Sequence, residues 1–289
     1  MPAISVLVPV YNALPFLEQC LNSIRNQSFT DFEVICLNDG STDDSLAIMR
    51  AHAARDERIV VIDKHNQGYG ATCNRGLDES HGEWISILEP DDWIESGMYS
   101  DLLALARMYP EPIDIVKSGY WRIWLPDTPK QRKMNCSYHG RINPPEQPFA
   151  IKDAAHLLCH HPSIWSAIYR KQYLLDKGIR FREIPGAGWA DNPFLIETLC
   201  QTDRILYMNR TMKEAFSLKE PEGMICWQVL QSGMNGRCPF CPVDRLMADA
   251  NQNQVFRWEE RNTLTWRIYD NSDSLMRWTD GSLVHLQQS

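Results

Sequence analysis

The sequence has no long apolar run: no stretch approaches the roughly 18 apolar residues of a membrane-crossing helix. Its opening segment, "MPAISVLVPVYN", has neither a basic leader nor a cleavage site, so it does not read as a signal peptide. Positive charge is scarce, with 29 Lys and Arg against 37 Asp and Glu and a net charge of −8. A general nucleic-acid binder normally shows a basic stripe, so the balance argues against one. Phosphate ligands stay open, because backbone amides and a metal ion can hold them without a basic surface. No G-x-G-x-x-G follows the first strand and no G-x-x-x-x-G-K-[ST] occurs, so dinucleotide dehydrogenases and P-loop NTPases lack support. There is no internal repeat and no extended low-complexity segment. The expected location is the cytoplasm, with peripheral association at the inner face of the membrane left open.

What is present points to an α/β fold. A chain of 289 residues with 44% hydrophobic content can build one large core or two smaller ones. Nine cysteines in a reducing compartment read mainly as buried free thiols, "CPFC" at Cys238 and Cys241 apart. "ISVLVPV" (4–10), "EVICLN" (33–38), "RIVVID" (58–63) and "EWISIL" (83–88) read as buried strands. Helical segments separate them. In the first, Leu14, Leu17, Leu21 and Ile24 share a face, with Asn12 as the expected cap. In the second, Ser41 and Asp44 are the expected capping pair. "GYGATCNRGLDES" reads as a glycine turn entering a third helix. Strand and helix alternating this way predict a mostly parallel sheet flanked by helices. Further on, "MYSDLLALARM" reads as a helix, "IDIVKSGYWRIW" as one strand, and 125–148 as a loop. Helices are expected near 151–160, 171–177 and 192–201, then a strand at "RILYMN".

Ligands of open parallel sheets bind beyond the carboxyl ends of the strands. Asp39, Asn66 and the acids of "ILEPDDWI" (Glu89, Asp91 and Asp92) all fall at such ends. A carboxylate cluster there suits a hard divalent cation completed by water and phosphate oxygens. It equally suits a solvated turn with Asp92 capping the next helix. Asp39 could bind a base or ribose, or belong to a plain strand-to-helix turn. Asp191, on its local sequence, reads as a cap for the helix that starts near Pro193.

Residues 6–45 and "NQGYGATCNRGLDESHGEWISILEPDDW" (66–93) together resemble the nucleotide-sugar half of family-2, GT-A-fold inverting glycosyltransferases. P-x-Y-N, N-D-G-S-x-D, two N-x-G pairs and a D-x-D-D-like cluster carry the likeness. It is strong over about 1–120 and continues more weakly to about 212 through "HPSIWSAIYRKQYL" and "GAGWADNPFLIETL". The resemblance implies that Pro9, Tyr11 and Asn12 line the base pocket. It implies that Asp39 binds uracil or ribose and that Asn66 and Gly68 contact the nucleoside. Glu89 and Asp92 would flank the donor, Asp91 would hold Mn²⁺ or Mg²⁺, and Asp191 would be the general base. The implied partners are a UDP-sugar and a saccharide or glycolipid acceptor. Trp189 and His161 are candidates for the acceptor side. Three positions depart from the pattern: Glu89 replaces the commoner Asp, Cys73 an Arg, and Ala190 a Glu or Gln.

The tail differs in character. "CWQVLQ", "CPFC" and "WRIYDNSDSLMRWTDGSLVHLQQ" resemble a truncated PAS-like bacterial sensory module. Cys226, Cys238 and Cys241 could bind a metal, with His285 a conceivable fourth ligand, or form a redox pair. The expected division is 1–98 for the nucleotide-sugar half, 99–215 for the acceptor half, and 216–289 for the appendage. The other functional reading is a sensor-type protein whose transferase half binds nucleotide without turnover.

Overall fold

The computed structural model describes residues 1–126, 128–136, 147–159, 161–186 and 190–208, and the backbone of three later strands. The chain separates into two compact units, Met1–Asn209 and Arg210–Ser289. The first unit begins with β1 (Ile4–Val10), α1 (Leu14–Arg25), β2 (Phe32–Asp39) and α2 (Ser45–Ala53). There follow β3 (Ile59–Lys64), α3 (Tyr69–Glu79), β4 (Trp84–Ile87) and α4 (Met98–Arg107). It continues through β5 (Ile115–Ser118), β6 (Trp121–Trp124), β7 (Arg132–Asn135) and β8 (Ala167–Arg170). It closes with α5 (Lys171–Lys177), α6 (Asp191–Cys200) and β9 (Ile205–Met208).

Seven strands form one sheet in the order β3-β2-β1-β4-β8-β5-β9. The pairs β1–β2, β2–β3, β1–β4 and β5–β9 are parallel, and β8 is antiparallel to both neighbours. The fold is the expected GT-A-like α/β architecture. Along β1 every residue is buried, as a strand covered on both faces must be. Ile4, Val6, Val8 and Val10 pack on one side with Leu17, Leu21, Met49 and Leu102. Leu7 packs on the other with Cys73, Leu77, Tyr173 and Phe194. Helices α1, α2 and α4 thus cover one face and α3, α5 and α6 the other. Strand order reverses at β1, which pairs with β2 on one side and β4 on the other. That is a topological switch point, where a crevice opens beyond the strand ends.

Local readings need correction. Neither Asn12 nor Ser41 caps a helix: Ala13 and Asp44 occupy the cap positions, and no side chain bonds the first turn from them. Both side chains instead tie neighbouring loops together, as described below. "IDIVKSGYWRIW" is two strands, β5 in the core and β6 outside it, because the chain leaves the sheet near Gly119. Among the described residues β6 pairs with β7 in a two-stranded ribbon, and β7 lies within the stretch 125–148 read as a loop. The segment near 151–160 is a 3-10 helix, Ile151–Leu158.

The second unit contains β10 (Val255–Arg261), β11 (Ile268–Arg277) and β12 (Leu283–Gln288), an antiparallel sheet. Cys226, Cys238 and Cys241 lie outside the described residues, as does most of the PAS-like resemblance; His285 falls on β12. Of the described cysteines, Cys20, Cys36, Cys73 and Cys136 are buried and Cys159 and Cys200 exposed, all as free thiols. Among the described residues no helix is long and apolar enough to cross a membrane.

Candidate active site

The loops after β1 and β2 hold each other. Asn12 adopts φ 51°, a left-handed conformation that Asn tolerates better than most residues. Its Oδ1 accepts the Thr42 amide at 2.8 Å, and its own amide donates to Ser41 Oγ at 3.1 Å. The Ala13 amide donates to Ser45 Oγ at 3.0 Å and the Leu14 amide to Asp43 Oδ2 at 3.1 Å. P-x-Y-N and N-D-G-S-x-D are therefore two halves of one loop pair. Pro9 is buried at the end of β1, and Tyr11 is left 53% exposed beside the crevice.

Asp39 closes β2 and is buried. Its Oδ1 accepts the Gln67 amide at 2.9 Å, and its Oδ2 the Gly68 amide at 3.0 Å. Lys64 Nζ, at the end of β3, pairs with Oδ1. A carboxylate offers about four lone-pair sites, so one acceptor position remains for a ligand. Gly40, at φ +72°, permits the close approach: a Cβ there would lie 2.9 Å from the Asn66 amide nitrogen. Asp39 and the Asn66–Gly68 loop are thus joined, with the Asn66 side chain exposed.

Glu89 to Asp92 form a tight turn just past β4. The Asp92 amide donates to the Glu89 carbonyl at 3.0 Å, with Pro90 at the position a type I turn favours. Asp91 is exposed, and Glu89 and Asp92 are half-buried. Burial, then the charges of Asp92, Asp91 and Asp191, pushes the Glu89 carboxyl up to about 8. Burial, then Asp91, pushes Asp92 up to about 7. The Tyr69 hydroxyl lies close enough to pull Glu89 the other way, yet is buried without a hydrogen-bond partner among the described residues. Nor does any of the four acids form an ion pair there. Repelling, uncompensated oxygen donors at a crevice fit a hard cation such as Mg²⁺ or Mn²⁺. No three His, Cys, Asp or Glu side chains among the described residues form a preassembled shell, so waters and diphosphate oxygens would have to complete it.

Asp191 is the first residue of α6, and its charge acts on Glu89, Cys73 and His161 alike. The fold thereby brings the acid of "GAGWADNPF" to the acids of "EPDD". A set of contacts between α3 and segment 180–186 fixes that geometry. The buried Asn74 accepts the Phe181 amide on Oδ1 at 2.9 Å, and donates from Nδ2 to the Phe181 carbonyl at 2.9 Å. Arg180 makes a two-pronged pair with Asp78, both contacts at 2.8 Å. A Cβ on Gly70 would come within 2.0 Å of the Arg182 carbonyl oxygen, so only glycine lets the two backbones meet. Phe181 then stacks on Phe194 of α6, centroids 4.1 Å apart and planes within 6°.

Reading the sequence missed Lys64, Tyr69 and Asn74 as site residues. Asn74 had a signal, since it opens the second N-x-G pair. Cys73 is fully buried beneath the site, so no solvent-facing contact arises from it. His161 packs edge-on against Trp165 at 5.1 Å, and burial, then Arg122, pulls its pKa down. Trp189 and His160 lie outside the described residues.

A mostly parallel sheet with this switch point, and acids beyond its strand ends, marks a GT-A-like fold. Residues 5–174 match glycosyl transferase family 2, and the chain belongs to that family. It is 30% identical to the uncharacterized glycosyltransferase EpsJ of Bacillus subtilis (strain 168) over 217 residues, 71% of this chain and 58% of that protein. It is 32% identical to the uncharacterized glycosyltransferase YibD of Escherichia coli (strain K12) over 260 residues, 86% of this chain and 71% of that one. The crystal structure of S. aureus TarS 1–349 in complex with UDP-GlcNAc matches with a TM-score of 0.59 at 24% identity, over 72% of this chain and 56% of that one. At that identity the likeness speaks for the fold. This chain spans little more than half the length of EpsJ.

Proposed function

We propose that the chain is an inverting glycosyltransferase that moves a hexosyl or N-acetylhexosaminyl group from a UDP-sugar to a hydroxyl of a saccharide or glycolipid acceptor. One observation carries the reading: the charge of Asp191, at the head of α6, acts on Glu89, a hundred residues away in sequence at the end of β4. Inversion needs attack in line with the departing diphosphate, and hence a base and a leaving-group site on opposite sides of the sugar. Asp191 takes the acceptor side and removes the hydroxyl proton as the new bond forms. Asp91, with Asp92 and Glu89, takes the donor side. Bound there, Mg²⁺ or Mn²⁺ supplies neutralising charge to the leaving diphosphate. Asp39 uses its remaining acceptor position for the uracil or ribose, within a pocket bounded by Pro9, Tyr11, Asn12, Asn66 and Gly68. His161 and Trp189 belong to the acceptor side. The relatives named as glycosyltransferases and the UDP-GlcNAc complex of TarS support the donor class.

Release of UDP from a panel of UDP-sugars, measured with Mn²⁺ and candidate acceptors, tests the reading. Asp191→Asn should lower turnover by about 10²–10⁴-fold, the usual worth of a positioned base, and leave UDP affinity intact. Turnover unchanged in that variant would remove Asp191 from the mechanism.

A further inference from the structure

The β6–β7 ribbon stands outside the main sheet, and both of its faces are exposed. An isolated two-stranded ribbon is marginal by itself, and exposed apolar groups make it worse. Yet Trp121 is 39% exposed, Trp124 42%, Met134 45%, and Leu125 at the turn 56%. The same stretch, 121–136, carries Arg122, Lys130, Arg132 and Lys133 against the single acid Asp127, in a chain of net charge −8. Strand alternation gives each face both kinds of residue: Trp121 with Lys133 on one, Trp124 with Arg122 and Arg132 on the other. Lys133 Nζ sits 4.0 Å from the Trp121 ring centre, and the Arg122 guanidinium 5.9 Å from that of Trp124.

We propose that this ribbon docks on an anionic lipid bilayer. Amphipathic Trp rings settle at the headgroup level, and Lys and Arg lay their stems on apolar surface while their charges meet lipid phosphates. Charge complementarity singles out this occupant. A neutral glycan would use the ring faces and leave four cations idle, and Lys133 already covers one face of Trp121. The ribbon's root shows what docking achieves. The Cys136 amide closes on the Tyr120 carbonyl at 2.7 Å. The Tyr120 ring meets Trp165 edge-on, 6.0 Å between centres, and Trp165 meets His161. Arg122 and Asp191 both act on the charge of His161. The bilayer would therefore lie beside the acceptor side, which favours a lipid-linked acceptor; that consequence rests on the function proposed above.

Vesicle flotation of the full chain tests the docking. It needs neither donor nor acceptor, so its failure leaves the transferase reading standing. The chain should float with phosphatidylcholine vesicles containing phosphatidylglycerol and stay behind with phosphatidylcholine alone. Arg132→Gln with Lys133→Gln should weaken binding about thirtyfold, since each basic residue near an anionic surface contributes about 1 kcal/mol. Lipids brominated in the acyl chain should quench the fluorescence of the wild type, and less so after the conservative pair Trp121→Phe and Trp124→Phe. Equal binding to both vesicle types would overturn the proposal. So would binding untouched by the Gln pair, quenching untouched by the Phe pair, or capture by a soluble neutral glycan in place of vesicles.

Discussion

Glu89 and Asp92 sit in a conflict that a bound cation would resolve. Burial and neighbouring acids raise Glu89 from about 4.5 to about 8, and Asp92 from about 3.8 to about 7. Between those values the folded chain holds more protons than the unfolded chain, so stability falls as pH rises. Without divalent ions, the melting temperature should drop from about pH 5 to pH 8, a loss on the order of 2 kcal/mol after screening. Asp92→Asn should flatten the slope, and Mn²⁺ should restore the lost stability at pH 8. A level profile in the wild type would show the acids are compensated by some other group. Asp56 works in the opposite sense in a separate window. The Arg58 side chain holds its carboxyl down at about 2, so its contribution is present above pH 4 and lost as pH falls toward 2. Acid unfolding of Asp56→Asn should therefore be less steep through that range than that of the wild type.

Helix α3 links the two halves of the site. Its amino end meets the Asp39 loop, and its body is bonded to segment 180–186, which leads to Asp191. Asn74→Ala would strand the amide and carbonyl of Phe181 in a buried place, at about 1–3 kcal/mol for each unsatisfied group. The expected loss is about 2–4 kcal/mol in urea unfolding. Turnover should fall further than UDP affinity, because the acceptor side moves while the Asp39 contacts stay. Gly70→Ala should act alike, since its Cβ would collide with the Arg182 carbonyl. Wild-type stability in both variants would mean the two segments are joined by other contacts. The strands of this half were legible in the sequence, because continuous Val and Ile runs between turns have few other readings. Asp39 and the "EPDD" acids were legible for a related reason: position at a strand's carboxyl end says where a side chain goes. Lys64, Tyr69 and Asn74 were not, because each gains its role from a partner that only the fold supplies. The caps at Asn12 and Ser41 were misread for the same reason, as tertiary bonds between loops took up side chains that local rules assign to helix ends. The split of 113–124 into β5 and β6 also escaped, since apolar content alone does not separate a core strand from an exposed aromatic ribbon.

At the scale of the molecule, the switch point between β2 and β4 sets everything else. Asp39 closes β2 and the Glu89–Asp92 turn follows β4, the two strands that flank β1, while Asp191 opens α6. The chain belongs to glycosyl transferase family 2 over residues 5–174. Arg210–Ser289 is a separate compact unit. The proposed function places donor binding in the first unit, with Asp39 for the nucleoside and Asp91 for the metal and diphosphate. Calorimetric titration with UDP tests this most directly, with and without Mn²⁺, on the wild type and on Asp91→Ala. The account predicts binding that strengthens with Mn²⁺ in the wild type and loses that gain in the variant. No UDP binding by the wild type, or a Mn²⁺ gain that survives Asp91→Ala, would contradict it.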